Sequence, residues 1–149
     1  KRFFKKLEKL RPPSPKYRNT WDPQILLRYL RGQPTTTTLP FKALSRKLVI
    51  LLALVTGHRL QTLHEIQLKN IYESKNGIQI FVPDHIKTSG KGRSQPLLTI
   101  PFFSEHQVCP AHTLKHYLLV TKPLRGNINK LFISVCPPVR AVTVQTLAR

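Results

Sequence analysis

The sequence predicts an α+β fold, mostly helical, with a small three-stranded antiparallel sheet. Three observations predict it. Apolar residues recur at helical spacing in residues 25–30, 42–66 and 110–121. Between the last two of these, from about 67 to 101, short runs suited to strands alternate with turn residues, and Asn76-Gly77 is a strong hairpin signal. All 13 prolines fall at the ends of these elements or in the loops between them. At 149 residues and 40% hydrophobic, the chain has the length of one domain and the apolar content for a core.

Residues 1–19 form a basic arm broken by Pro12, Pro13 and Pro15, which reads as a phosphate-binding or nuclear-import segment or as a solvated linker. Asp22-Pro23 announces a helix over about 22–31, with the aspartate as cap and the proline in the first turn. Gly32, Pro34 and the run Thr35–Thr38 stop it. A second helix is expected over 42–56 and a third over 59–66. Leu48 through Val55 is apolar at every position, so the second helix has no polar face and is expected to be buried. Strands are expected over 67–74, 78–82 and 96–100, the last after the polar loop Ser89-Gly90-Lys91-Gly92-Arg93-Ser94. Pro110 opens a helix to about Thr121, Lys130–Ser134 reads as a short strand, and Val142–Arg149 starts a further helix.

Charge narrows the partner. Lys and Arg number 25 against 6 Asp and Glu, a formal +19, and the sequence pI is about 10.8. Self-repulsion on this scale opposes a compact fold, and a polyanion relieves it. Basic residues occur along the whole chain, which points to a binding surface rather than to a charged tail, with nucleic acid the first candidate and an anionic membrane surface the second. No segment approaches the roughly 20 apolar residues that span a bilayer, so no membrane partner is expected. No secretory signal is visible, and the two cysteines, Cys109 and Cys136, make no disulfide framework, so an intracellular location is expected. Cys109, His112 and His116 share a helix face at i, i+3 and i+7. After Pro110 this trio reads as packing rather than as a metal site. No metal or other cofactor is expected.

Two constellations carry chemistry. In Thr56-Gly57-His58-Arg59, the glycine closes an apolar helix and the arginine leaves that rigid support at the start of the next one. A guanidinium held so can donate two parallel hydrogen bonds to a phosphodiester, or can merely cap the helix or sit solvated. The second constellation is His85-Ile86-Lys87-Thr88-Ser89-Gly90-Lys91-Gly92-Arg93, between the second and third strands. Lys87 adjoins the strand, so its ammonium is the better placed of these to protonate an oxyanion leaving group. It serves equally as a phosphate-neutralising charge, as do Lys91 and Arg93.

In this order, the apolar helix, Thr56-Gly57-His58-Arg59, the three-stranded sheet with Lys87 and the segment Cys109-Pro110-Ala111-His112-Thr113-Leu114-Lys115-His116-Tyr117-Leu118 resemble the tyrosine recombinase (integrase) family. The likeness is closest to recombinases of eukaryotic retroelements and transposons, and it covers residues 20–149, which it makes a partial catalytic domain. The resemblance implies DNA cleavage and rejoining through a phosphotyrosyl intermediate without metal or nucleotide. It implies Arg59 as the first phosphate-binding arginine, Lys87 as the general acid, self-association on DNA and a nuclear location in a eukaryote. Phosphoryl transfer asks mainly for charge stabilisation and alignment, which fits these residue types.

The sequence also departs from the family. Thr62 stands where many members carry an acidic residue three positions after the first arginine, and Glu65 lies a turn further on. None of the six histidines is followed by arginine three positions later, so the family's His-x-x-Arg box is not found. The four tyrosines, Tyr17, Tyr29, Tyr72 and Tyr117, all precede the place of the nucleophile, and Tyr117 reads as a helix-packing residue. The chain opens on Lys1, and the expectation is a fragment that binds DNA through Arg59, Lys87, Lys91 and Arg93 but is inactive alone. The alternative is a non-catalytic basic DNA-binding module, with residues 44–66 as a helix-turn-helix.

Overall fold

In a computed structural model that describes residues 21–82 and 95–148, helix α1 (Pro23–Arg31) begins as its sequence dictates. Asp22 accepts a hydrogen bond from the Gln24 amide at 2.8 Å, and Pro23 occupies the first turn. A single 3-10 turn, Thr36–Thr38, leads into α2 (Phe41–Thr56). Gly57, at φ 64°, ends α2 and returns its amide to the Ala53 carbonyl at 3.0 Å. Helix α3 (Leu60–His64) follows at once and stops two residues short of the predicted end.

Three strands then form an antiparallel sheet in the order β1 (Ile71–Ser74), β2 (Gly77–Phe81), β3 (Leu97–Pro101). The first strand starts four residues later than the sequence pattern suggests. Residues 67–70 are drawn instead toward the C-terminal segment, where Gln67 bridges Lys130 and the Leu68 amide donates to the Asn129 carbonyl at 2.8 Å. The hairpin is also one residue displaced from its signal. Ser74 pairs with Gly77, so Lys75-Asn76 form the loop and Gly77 is the first residue of β2. That glycine serves a close approach between strands, because a Cβ there would lie 2.4 Å from the Ile100 carbonyl oxygen.

Helix α4 (Pro110–Thr121) packs against α2 and β3. Beyond it, the buried Arg125 gathers the chain: its guanidinium donates to Thr121 Oγ1 and to the carbonyls of Lys130 and Leu131. Burial lowers the pKa of this group. The strand expected over 130–134 is reduced to two isolated bridges, Gln67 with Lys130 and Ile133 with Ala141. The final helix, α5 (Val144–Leu147), is a single turn capped by Thr143.

Leu44, Leu48 and Leu52 of α2, Leu63 of α3 and Ile66 just after it, Ile78, Ile80 and Ile100 of the sheet, and Leu114 and Tyr117 of α4 share one buried core. Tyr117 is fully buried, as its packing role requires, with ring centroids 5.8 Å from Phe41 and 5.9 Å from Phe132. The apolar second half of α2 is not buried all round. Leu48, Leu51 and Leu52 are buried, whereas Val49, Ile50 and Ala53 are half-exposed along a groove. The expectation of a wholly buried helix is corrected on that face.

Candidate nucleic-acid interface

Arg59 is placed by what stands on either side of it. Thr56 Oγ1 donates to the Leu52 carbonyl at 2.7 Å and accepts from the His58 amide at 3.3 Å, which fixes the turn at Gly57. Arg59 itself is the residue that caps α3, in extended backbone, and its carbonyl accepts from the amides of Thr62 and Leu63. The far end of α3 is held as firmly. The His64 ring reaches the Val142 carbonyl oxygen at 2.9 Å through Nε2 and Glu65 Oε1 at 2.8 Å through Nδ1, while Lys130 Nζ bonds Glu65 Oε2. Thr62 and Leu63 are buried beneath.

The arginine side chain is exposed and makes no hydrogen bond or ion pair among the described residues. The four described carboxylates are engaged elsewhere. Asp22 caps α1, Glu73 pairs with Lys115 at 2.6 Å, Glu105 takes both Nε and Nη2 of Arg31, and Glu65 is held by His64 and Lys130. Glu65, a turn beyond Thr62, is therefore not paired with Arg59. Burial pushes its carboxyl up, but the hydrogen bonds from Lys130 and His64 outweigh this and hold it below its ordinary value. Among the described residues, none of the carboxylates occupies Arg59.

Beside it runs a groove of about 810 Å³ between α2 and the C-terminal segment, walled by Ile50, Ala53, Leu60, Phe132 and Leu147. Lys42 and Arg46 also line it, and among the described residues no carboxylate does. The sequence reading passed over both cations. They sit one turn apart on the polar face of α2's first half, a helical i, i+4 spacing that was available to find them.

Lys87, Lys91 and Arg93 lie outside the described residues. The trio Cys109, His112 and His116 has a packing explanation in part. Cys109 is buried, and its Sγ accepts from the Phe103 amide at 3.3 Å and the His112 amide at 3.4 Å. His112 instead stacks on His106, with centroids 4.3 Å apart. Its pKa is lowered by burial, with His106, Lys115 and His116 adding to the effect. Among the described residues, no group of three or more His, Cys, Asp or Glu could hold a metal ion, and no helix is long and apolar enough to cross a membrane.

Comparison with protein-family models, curated proteins and solved structures finds no match to this chain. The functional reading therefore rests on the residues and their geometry.

The helix-turn-helix alternative gains nothing from that geometry. Helix α3 has five residues, with Thr62 and Leu63 buried and only Gln61 fully exposed. A helix that reads bases in a major groove presents several side chains from one face.

Proposed function

We propose that this chain is a DNA-binding piece of a tyrosine-recombinase-like catalytic domain, with Arg59 as its fixed phosphate contact. One observation carries the reading: an exposed arginine, without a carboxylate partner among the described residues, on a support fixed at Gly57 and at Glu65. A guanidinium keeps its planar fork for two phosphate oxygens and loses less side-chain freedom per hydrogen bond than an ammonium does. The surplus of 25 basic over 6 acidic residues supplies the long-range attraction.

In the family's chemistry, Arg59 stabilises charge on the transferring phosphate and Lys87 protonates the leaving oxygen. Lys91 and Arg93 neutralise neighbouring phosphates. No metal or nucleotide cofactor enters this scheme. The chain holds no His-x-x-Arg. Tyr117, whose pKa is raised by burial, has its hydroxyl turned to the Ile133 amide at 3.3 Å. Binding without strand cleavage is the activity assigned to these residues, in the nucleus if the source is a eukaryote. Self-association on DNA is part of the same reading.

Fluorescence anisotropy with a labelled duplex tests the proposal. Arg59→Ala is expected to lose affinity while the melting temperature stays within a few degrees of the parent. Unchanged binding removes Arg59 from the interface.

A further inference from the structure

The sheet has two unlike faces. Ile78, Ile80, Leu98 and Ile100 are buried against the helices. Strand alternation turns the intervening residues outward. The register sets Tyr72, Gln79 and Thr99 in one row across the three strands and Phe81 beside Leu97 in the next. Tyr72 is 58% exposed, Phe81 42% and Leu97 56%. Tyr72 and Phe81 are diagonal neighbours on adjacent strands, about 7–8 Å apart, and neither ring stacks on another ring or a cation among the described residues.

We infer that this open face binds unpaired bases of single-stranded nucleic acid, with Tyr72 and Phe81 as stacking platforms. Two exposed rings on one face of an antiparallel sheet offer successive bases a π-face each, a contact that is tolerant of sequence. Gln79 and Thr99 stand between and beside the rings, with donors and acceptors for base edges. The surrounding charge suits a polyanion. Lys75 forms part of the hairpin loop and Lys69 precedes β1, both exposed. Glu73, the sheet's carboxylate among the described residues, alternates to the other face and is tied to Lys115 at 2.6 Å. A protein partner is the weaker fit, because Gln79 and Thr99 share the row of Tyr72 and interrupt the apolar surface, and the chain carries +19. The inference rests on the sheet and not on Arg59, so each stands or falls separately.

The test measures anisotropy with labelled oligo-dT of roughly 15 nucleotides, a length within single-fold site sizes, and with a duplex of equal length. Near physiological salt, Tyr72→Ala and Phe81→Ala are each expected to weaken oligo-dT binding about tenfold, from the usual worth of a stacked base. Duplex affinity should stay within about twofold, and Tyr72→Phe should bind like the parent. An oligo-U arm assigns the sugar: the aromatic substitutions cost the preferred strand, DNA or RNA, the full factor. Ultraviolet cross-linking of oligo-dT to the unmodified protein reads the same contact independently of any variant's folding, with adducts expected on the peptides holding Tyr72 or Phe81. Unchanged affinity for both oligo-dT and oligo-U, equal losses on single strand and duplex, or adducts confined to other peptides would each overturn the inference.

Discussion

Arg59 and Glu65 flank the five residues of α3, and the carboxylate of Glu65 is taken by His64 and Lys130 rather than by that guanidinium. One end of the helix is thus anchored to the C-terminal segment and the other left open to an anion. This division is what makes Arg59 a candidate for phosphate rather than one half of a structural ion pair.

The anchor gives a pH dependence with a definite sign. A carboxyl held below its ordinary value contributes stability above the unfolded pKa, about 4.3 for Glu, and loses that contribution as pH falls through the folded value. Glu65→Gln is expected to cost about 1–2 kcal/mol at pH 7, reduced from a fully buried charged pair because the side chain keeps some contact with water. Thermal melts of parent and variant should differ most above about pH 5 and converge as pH falls toward 3 and the parent carboxyl protonates. A gap that stays constant across this range contradicts the assignment.

Two glycines should respond differently to alanine. At Gly57 a Cβ meets nothing within 4 Å, so Gly57→Ala pays only for its left-handed backbone, about 1 kcal/mol. At Gly77 the Cβ would lie 2.4 Å from the Ile100 carbonyl oxygen and 3.0 Å from the Pro101 Cα, so β2 and β3 must part. Gly77→Ala should cost at least about twice as much, a lower bound set by typical overpacking penalties. Chemical denaturation measures both, and equal costs would remove the close approach as Gly77's reason.

The helices were legible because their signals are local. Asp22-Pro23, Gly57 and Pro110 mark ends that backbone chemistry alone enforces. The strand edges were less so, since residues 67–70 and 130–134 take their conformation from each other across more than sixty positions. A Leu48–Val55 run predicts burial but cannot show that one of its faces lacks a cover. In the site, Arg59 could be found from its glycine. The fate of Glu65 could not, because Lys130 and Val142 are distant in sequence.

Binding to duplex DNA should weaken steeply with salt. Each phosphate neutralised by Lys or Arg releases a counterion, so log affinity falls linearly with log salt at a slope near −0.9 per contact. Filter binding from low to physiological ionic strength gives the slope. A flat line would contradict a DNA partner for a chain of charge +19.

Incubation with nicked or suicide duplex substrates should trap no covalent adduct. Tyr117 is fully buried, Tyr29 and Tyr72 are exposed on α1 and β1 without a hydrogen-bonded base among the described residues, and Tyr17 lies outside those residues. A denaturing gel shift of labelled DNA to the protein's position would overturn the inactivity claim.

The central claim is that Arg59 is a fixed phosphate contact and not one charge among many. Duplex affinities of Arg59→Ala and of Lys122→Ala, measured side by side near physiological salt, test it most directly. Lys122 is exposed at the end of α4 and makes no ion pair among the described residues, so its loss removes one screened charge, worth about two- to threefold. Loss of a charge-assisted bidentate contact is worth about 1.5–3 kcal/mol, or roughly ten- to a hundredfold. The account predicts that larger loss for Arg59→Ala; equal losses for the two variants would contradict it and leave only a diffuse basic surface.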